Sequence, residues 1–62
     1  MDEPEWYTVQ EVAARLRVAV QTVRNLIGRG DLPAIRVGRV YRIAAEDLEA
    51  FIRRQREREP DT

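Results

Sequence analysis

The stretch TVQEVAARLRVAVQTVRNLIG, residues 8–28, carries two helical periodicities separated by a short break. Its first half opens on Thr8 and has Glu11 three residues later, which is the spacing of a capping box at a helix N-terminus. Apolar residues then recur on one helical face, at Val9, Val12, Ala13 and Leu16. We therefore predict a first helix over residues 9–16.

A second amphipathic helix follows the break at residues 17–19. Its apolar face repeats at helical spacing, at Val20, Val23, Leu26 and Ile27. Gly28 and Gly30 end this pattern, because glycine suits the left-handed conformation that often closes a helix. This predicts a second helix at about residues 20–28 and a three-residue turn before it.

Residues 34–43 change to the two-residue period of strands. The segments Ile35-Arg36-Val37 and Tyr41-Arg42-Ile43 flank Gly38-Arg39, a turn signal. We predict a β-hairpin with Arg36 and Arg42 facing outward and Arg39 at its tip. Its inner face is predicted to carry Ile35, Val37, Tyr41 and Ile43.

A third helix is predicted after the hairpin. Glu46 and Asp47 stand in its first turn, where the helix dipole favours acidic residues. Its apolar stripe follows at Leu48, Phe51 and Ile52. The four aromatic residues Trp6, Tyr7, Tyr41 and Phe51 are expected in the core. The fold class is mainly α with a small β-hairpin, a winged helix-turn-helix. We expect a flexible N-terminus at 1–5, the domain at 6–54 and a fraying, charged C-terminal tail at 55–62.

The charges are segregated along a chain whose formal net charge is +0. Residues 15–42 carry seven arginines and one acid, whereas residues 1–14 carry four acids and no base. Residues 43–62 carry four arginines and six acids. A polyanion responds to nearby charges, since salt screens distant ones within about 10 Å. The basic middle therefore predicts a nucleic-acid partner.

Other function classes find little support in the composition. The chain has 62 residues, enough for one domain at most. It has no histidine and no cysteine, and therefore lacks the commonest general base and the thiolate ligands of zinc. We expect no cofactor, no metal and no enzymatic activity. With no apolar run near the ~20 residues of a membrane span, a soluble cytoplasmic protein is expected.

The polar face of the second helix has the chemistry for reading bases in the major groove. Gln21 and Asn25 can form hydrogen bonds with adenine N6 and N7, and Arg24 can donate two hydrogen bonds to guanine O6 and N7. Thr22 can bind a phosphate or touch a thymine methyl group. Two plainer interpretations stay open: a polar face is what any surface helix needs, and arginines on a hairpin can protect a sheet edge from pairing.

Residues 6–51 resemble the excisionase family of phage and plasmid DNA-binding proteins, a branch of the MerR-like winged-helix fold. The resemblance is carried by YTVQEVA (7–13), QTVRNLI (21–27), GDLP (30–33), VGR (37–39) and DLEAF (47–51). It implies that Gln21, Arg24 and Asn25 face the major groove and Thr22 the DNA backbone. It implies that Arg36, Arg39 and Arg42 approach the minor groove or its phosphates.

Two positions depart from the family pattern. Arg17 stands where glycine is frequent, and is expected to need a positive φ. Ala19 stands where serine or threonine is frequent, and a lost N-cap costs roughly 1 kcal/mol. Arg17 and Arg29, around the turn and helix ends, are candidate phosphate contacts.

The resemblance implies an excisionase, or recombination directionality factor. Such a protein binds cooperatively beside copies of itself, bends DNA, and contacts an integrase, here through the C-terminal helix or tail. A short chain without an effector domain is expected to need such cooperation, because a small module seldom gives high affinity alone. The alternatives are a small MerR-like transcriptional regulator and a protein-interaction module that has lost DNA binding.

Overall fold

The computed structural model describes residues 5–58. Its elements are β1 (Trp6–Tyr7), α1 (Val9–Leu16), α2 (Val20–Gly28), β2 (Ile35–Val37), β3 (Val40–Ala44) and α3 (Ala45–Arg58). The strands form one antiparallel sheet in the order β1-β3-β2. The predicted fold class is confirmed: helix-turn-helix, hairpin and C-terminal helix follow one another along the chain.

The bounds of α1 and α2 agree with those predicted from the apolar periodicity. The capping box of α1 is also confirmed. The Thr8 hydroxyl accepts a hydrogen bond from the Glu11 backbone N–H at 3.0 Å, and the Glu11 carboxylate accepts one from the Thr8 N–H at 2.9 Å. Each bond satisfies a backbone donor that the helix itself leaves without a partner.

In the turn between the helices, Arg17 and Ala19 are unfavourable residue types for the backbone positions that they occupy. Arg17 has φ 60° and ψ 46°, in the left-handed region that was expected from the sequence. Its N–H donates to the Ala14 carbonyl, and the Val18 N–H donates to the Ala13 carbonyl at 3.0 Å. Ala19 then begins α2 without a side-chain cap.

The end of α2 repeats the same hydrogen-bond pattern with glycine in the left-handed position. Gly30 has φ +85°, and its N–H donates to the Ile27 carbonyl at 3.1 Å. The Asp31 N–H donates to the Leu26 carbonyl at 2.9 Å. These two bonds define a Schellman motif, in which Gly30, rather than Gly28, provides the positive φ.

The register of the hairpin corrects the predicted faces. It pairs Ile35 with Arg42, Arg36 with Tyr41, and Val37 with Val40. Directly opposed residues of antiparallel strands share a face, so the prediction that Ile35 and Val37 lie on the inner face with Tyr41 and Ile43 is wrong. The prediction that Arg36 and Arg42 share the outward face is also wrong.

The reason for this correction lies in the turn. Gly38 and Arg39 form a two-residue loop in which Gly38 has φ +68°, as a type II′ turn requires at its first central position. Such a loop places odd-numbered residues of β2 opposite even-numbered residues of β3. The inner face of the sheet therefore carries Tyr7, Arg36, Tyr41 and Ile43, and the outer face carries Trp6, Ile35, Val37, Val40, Arg42 and Ala44.

A small apolar core joins the sheet to the three helices. It consists of Val9, Val12, Ala13, Val23, Leu32, Ile43, Leu48 and Phe51. Leu32, in the segment between α2 and β2, is among the most buried side chains. Of the four aromatic residues expected in the core, only Phe51 is buried; Tyr7 and Tyr41 are half-buried, and the prediction for Trp6 is wrong because that side chain is exposed.

Helix α3 continues further than expected. It begins at Ala45, whose N–H donates to the Glu5 carbonyl at 3.0 Å, and it extends through Arg58. The prediction that the chain frays after Arg54 is therefore wrong for residues 55–58. The remaining part of the predicted tail, residues 59–62, lies outside the described residues, as do residues 1–4 of the predicted flexible N-terminus.

Candidate nucleic-acid interface

Helix α2 is fixed to the core on one side and presents its polar side to solvent. Val23 is fully buried, whereas Gln21, Thr22, Arg24 and Asn25 are exposed. This arrangement follows from the helical period, which places Val23 on the opposite face from its polar neighbours. All four residues predicted for the recognition helix are therefore accessible to a ligand.

Two of these side chains are joined. The Gln21 side-chain N–H donates to the Asn25 Oδ1 at 3.1 Å, across one helical turn. An amide carries two donors and an oxygen with two lone pairs, so the bond leaves hydrogen-bonding capacity on both side chains. Both side chains keep N–H donors for a ligand, and the Gln21 Oε1 stays available as an acceptor.

The hairpin arginines have different surroundings from one another. Arg36 lies over the ring of its cross-strand partner Tyr41, with the guanidinium carbon 5.6 Å from the ring centroid. Arg39 is exposed at the tip, and Arg42 is half-buried on the outer face. The cation–π contact orients Arg36 while its charge stays accessible.

A groove of about 300 Å³ brings the recognition helix and the hairpin together. It is lined by Thr8, Val9, Gln10, Arg24, Arg36, Arg39, Val40, Tyr41 and Arg42. Four of the predicted site residues meet here, and the lining contributed by residues 5–58 includes no acid. Clefts lined by charges of one sign concentrate their field, and this one therefore attracts an anion.

Gln10 and Val40 also line this groove, although the sequence analysis did not name them as site residues. Gln10 is an exposed residue in the first turn of α1. Its position two residues after the capping Thr8 was readable from the sequence, but its proximity to the hairpin depends on tertiary packing.

The two candidate phosphate contacts outside the groove differ in their availability. Arg17 is exposed in the turn between the helices. Arg29 forms an ion pair with Asp31, with Nη2 2.9 Å and Nε 3.2 Å from the same carboxylate oxygen. The nearby acid offsets the charge of Arg29 and makes it the weaker candidate.

A second depression in the domain has another character. A shallow hollow of about 780 Å³ is lined by Glu5, Trp6, Ala44, Ala45, Glu46, Glu49, Ala50 and Arg53. Three carboxylates and a single arginine make this hollow acidic. The sequence segregation of charge is thus a spatial one as well, with the basic groove and the acidic hollow lined by different residues.

Within residues 5–58, His, Cys, Asp and Glu side chains form no group of three that could hold a metal ion. No helix in the described part of the chain combines the length and apolar character needed to cross a membrane.

A sequence profile described as "Helix-turn-helix domain" matches residues 6–56, most of the chain. Together with the arrangement of α1, α2 and the hairpin, this match shows that the chain belongs to the helix-turn-helix domain family, a class of DNA-binding domains.

Named relatives share this domain. The "Uncharacterized protein YvgK" of Bacillus subtilis (strain 168) is 45% identical over 60 residues, covering 97% of this chain and 20% of that protein. The "Putative DNA-binding protein Rv0500A" of Mycobacterium tuberculosis (strain H37Rv) is 54% identical over 45 residues, covering 73% of this chain and 58% of that protein. A second strain of that species has the equally similar protein MT0521. The chain thus spans less than two thirds of the length of these relatives.

Proposed function

We propose that this chain binds double-stranded DNA in a sequence-specific manner through α2 and the hairpin. The observation that carries the proposal is the acid-free groove in which Arg24 of α2 meets Arg36, Arg39 and Arg42. The name of the mycobacterial relatives, which describes DNA binding, supports the same function.

In the proposed complex, α2 enters the major groove, which is wide enough for one α-helix. Arg24 donates two hydrogen bonds to a guanine, and the joined amides of Gln21 and Asn25 contact neighbouring base edges. Thr22 contacts the sugar-phosphate backbone. These contacts supply specificity, whereas phosphate contacts supply register and most of the salt dependence.

The hairpin arginines provide the second half of the interface. Arg36, Arg39 and Arg42 neutralise phosphates beside the major groove or extend into the adjacent minor groove. Three such contacts predict a slope of log affinity against log salt of roughly −3 per protomer. Arg17 adds a phosphate contact from the turn, and Arg29 contributes less because Asp31 holds it.

We further propose an architectural role, that of an excisionase. The domain binds side by side with copies of itself on repeated sites, bends the DNA, and contacts an integrase through α3 or the segment beyond it. The support for this role is the resemblance to that family. Such a role needs only binding and positioning, and no catalytic group.

A transcriptional regulator is the second candidate. The observation in its favour is that the aligned segment makes up 20% of YvgK, so a closely similar domain occurs within a longer protein. Regulators commonly attach such a domain to others that sense or dimerise. In this case the domain binds one promoter site and does not need neighbours along the DNA.

Footprinting on the DNA that flanks the gene tests DNA binding and the two roles together. An excisionase protects a row of direct repeats, and circular-permutation gel shifts reveal a bend. A regulator protects a single promoter site without that row. If the protein binds no DNA even at 50 mM salt, the domain is a protein-interaction module and the proposal fails.

A further inference from the structure

The outer face of the sheet carries four large apolar side chains that are open to solvent, together with Arg42 at the middle of β3. Trp6, Ile35, Val37 and Val40 lie on it and are between 47% and 52% exposed. Valine and isoleucine are common in strands for packing reasons, but here about half of the surface of each of these residues stays exposed. A contiguous apolar surface of this kind typically marks a contact site.

The charges beside this face change sign along its length. The hairpin end carries Arg42 on this face and Arg39 at the turn, and residues 34–44 include no acid. The other end, at Trp6, adjoins the acidic hollow with Glu5, Glu46 and Glu49. A polyanion is therefore attracted to the hairpin end and repelled from the Trp6 end.

The hairpin end is also continuous with the basic groove. Val40 lines that groove together with Arg24 and Arg39. Val37 is its direct cross-strand partner, and both valines flank the two-residue turn that carries Arg39. DNA that engages the arginines of the groove must therefore pass close to this pair of apolar side chains.

We propose that Val37 and Val40 pack against the deoxyribose groups of the minor groove, with Arg39 between them contacting phosphate or the groove floor. This inference rests on the proposed DNA binding and adds a non-ionic contact to it. Valine is short compared with the Phe, Leu or Met wedges that separate base steps. The contact is therefore with the C–H surface of the sugars and does not unstack the bases.

The test is the affinity of Val37→Thr, Val40→Thr and the double variant for a footprinted DNA site, at several salt concentrations. Threonine keeps the shape and strand preference of valine and replaces one methyl group by a hydroxyl. We expect about a tenfold loss in the double variant, from the apolar area left in contact with water. The slope against salt should stay unchanged, because no phosphate contact is removed.

Val18→Thr is the matched control, since Val18 is also exposed but lies in the turn between the helices, outside the groove lining. Its affinity should equal that of the original chain. A direct measurement needs no variant: in the DNA complex, methyl protons of Val37 and Val40 should give nuclear Overhauser contacts to sugar protons.

Three results would overturn the inference. Unchanged affinity in the double variant, with no methyl–sugar contacts, means that DNA does not cover these valines. Unchanged affinity for one isolated site, with loss of cooperativity on repeated sites, means that another copy of the chain covers them. If the original chain binds no DNA at all, the proposed function itself fails, and this inference fails with it.

Discussion

At the scale of single residues, the turn between α1 and α2 holds two residues that lower the stability of the fold. Arg17 adopts the left-handed conformation, which costs an L-residue roughly 1–2 kcal/mol. Ala19 starts α2 without a side-chain acceptor for the first backbone donors. By contrast, Thr8 and Gly30 fill the corresponding positions of a helix start and a helix end with the residues those geometries favour.

Replacing Ala19 by serine should stabilise the domain. Ala19 has φ −71° and ψ 152°, the extended backbone of an N-cap, so a serine hydroxyl can accept from a donor in the first turn of α2. We expect a gain of about 1 kcal/mol in the free energy of unfolding, measured by urea denaturation. Thr8→Ala is the control in the opposite direction, with a loss of about 1 kcal/mol. Equal stability in Ala19→Ser would mean that the first turn of α2 is solvated in the folded state.

Replacing Arg17 by glycine separates stability from DNA contact at one position. Glycine accepts the left-handed conformation without a steric penalty, and we expect a gain of about 0.5–1 kcal/mol. If the Arg17 side chain binds a phosphate, the same variant also loses about one unit of salt slope. Gly30→Ala provides the comparison at the end of α2, where positive φ makes a loss of stability the expected result. A destabilised Arg17→Gly would contradict the strain argument.

The amides of Gln21 and Asn25 should act as one unit in base recognition. Because they are hydrogen-bonded to each other, removing either one releases its partner from a fixed orientation. We expect Gln21→Ala, Asn25→Ala and the double variant to change the same positions of a selected binding site. Their effects on affinity should be non-additive by 0.5 kcal/mol or more in a double-mutant cycle. Strictly additive effects at separate base pairs would show that the two side chains read the DNA independently.

At the scale of elements, α1, α2 and the existence of the hairpin were predictable from local sequence, whereas the faces of the hairpin and the end of α3 were not. The spacing of Thr8 and Glu11, and the apolar period on each helix, are short-range signals that the structure confirms. The length of the Gly38-Arg39 loop sets the pairing register, and the register decides which residues of the two strands share a face. The alternation of apolar and polar residues within each strand does not contain that information.

Two features that were not predicted have the same long-range origin. β1 consists of two residues whose pairing with Ala44 and Ile43 exists only in the folded domain. Leu32 becomes part of the core because of how the segment after α2 packs. For the candidate site, the types of residue were readable from the sequence, but the meeting of Arg24 with the hairpin and Gln10 depends on tertiary structure.

The hairpin and α2 should have separable roles in binding. Arg39→Ala at the hairpin tip should weaken all DNA sequences and lower the salt slope by about one unit. Arg24→Ala should instead relax the preference at one base pair, with a loss of about 1–3 kcal/mol on the preferred site. Both affinities are measured by fluorescence anisotropy on the preferred site and a scrambled site.

Arg29→Ala is the matched control for these two variants. Its guanidinium is paired with Asp31, so its removal should change the salt slope by much less than that of Arg39. An unchanged slope in Arg39→Ala would place the hairpin away from the DNA. Uniform weakening of every sequence in Arg24→Ala would make that residue a phosphate contact.

At the scale of the whole molecule, the two depressions of the surface differ in charge. Four arginines line the groove between α2 and the hairpin, and three carboxylates line the hollow around Trp6. This separation explains how a chain with a formal net charge of +0 can attract DNA. In the proposed complex it also orients the domain, because phosphates repel the carboxylates of the hollow.

The measurement that tests the DNA interface most directly is a nuclear magnetic resonance titration of the chain with a footprinted duplex. Backbone and side-chain shifts should change at Gln21, Arg24, Asn25 and the hairpin tip, while those around Trp6 and Glu49 stay constant. Changes confined to the acidic side, or no changes at DNA concentrations that saturate the gel shift, would contradict the interface described for this domain.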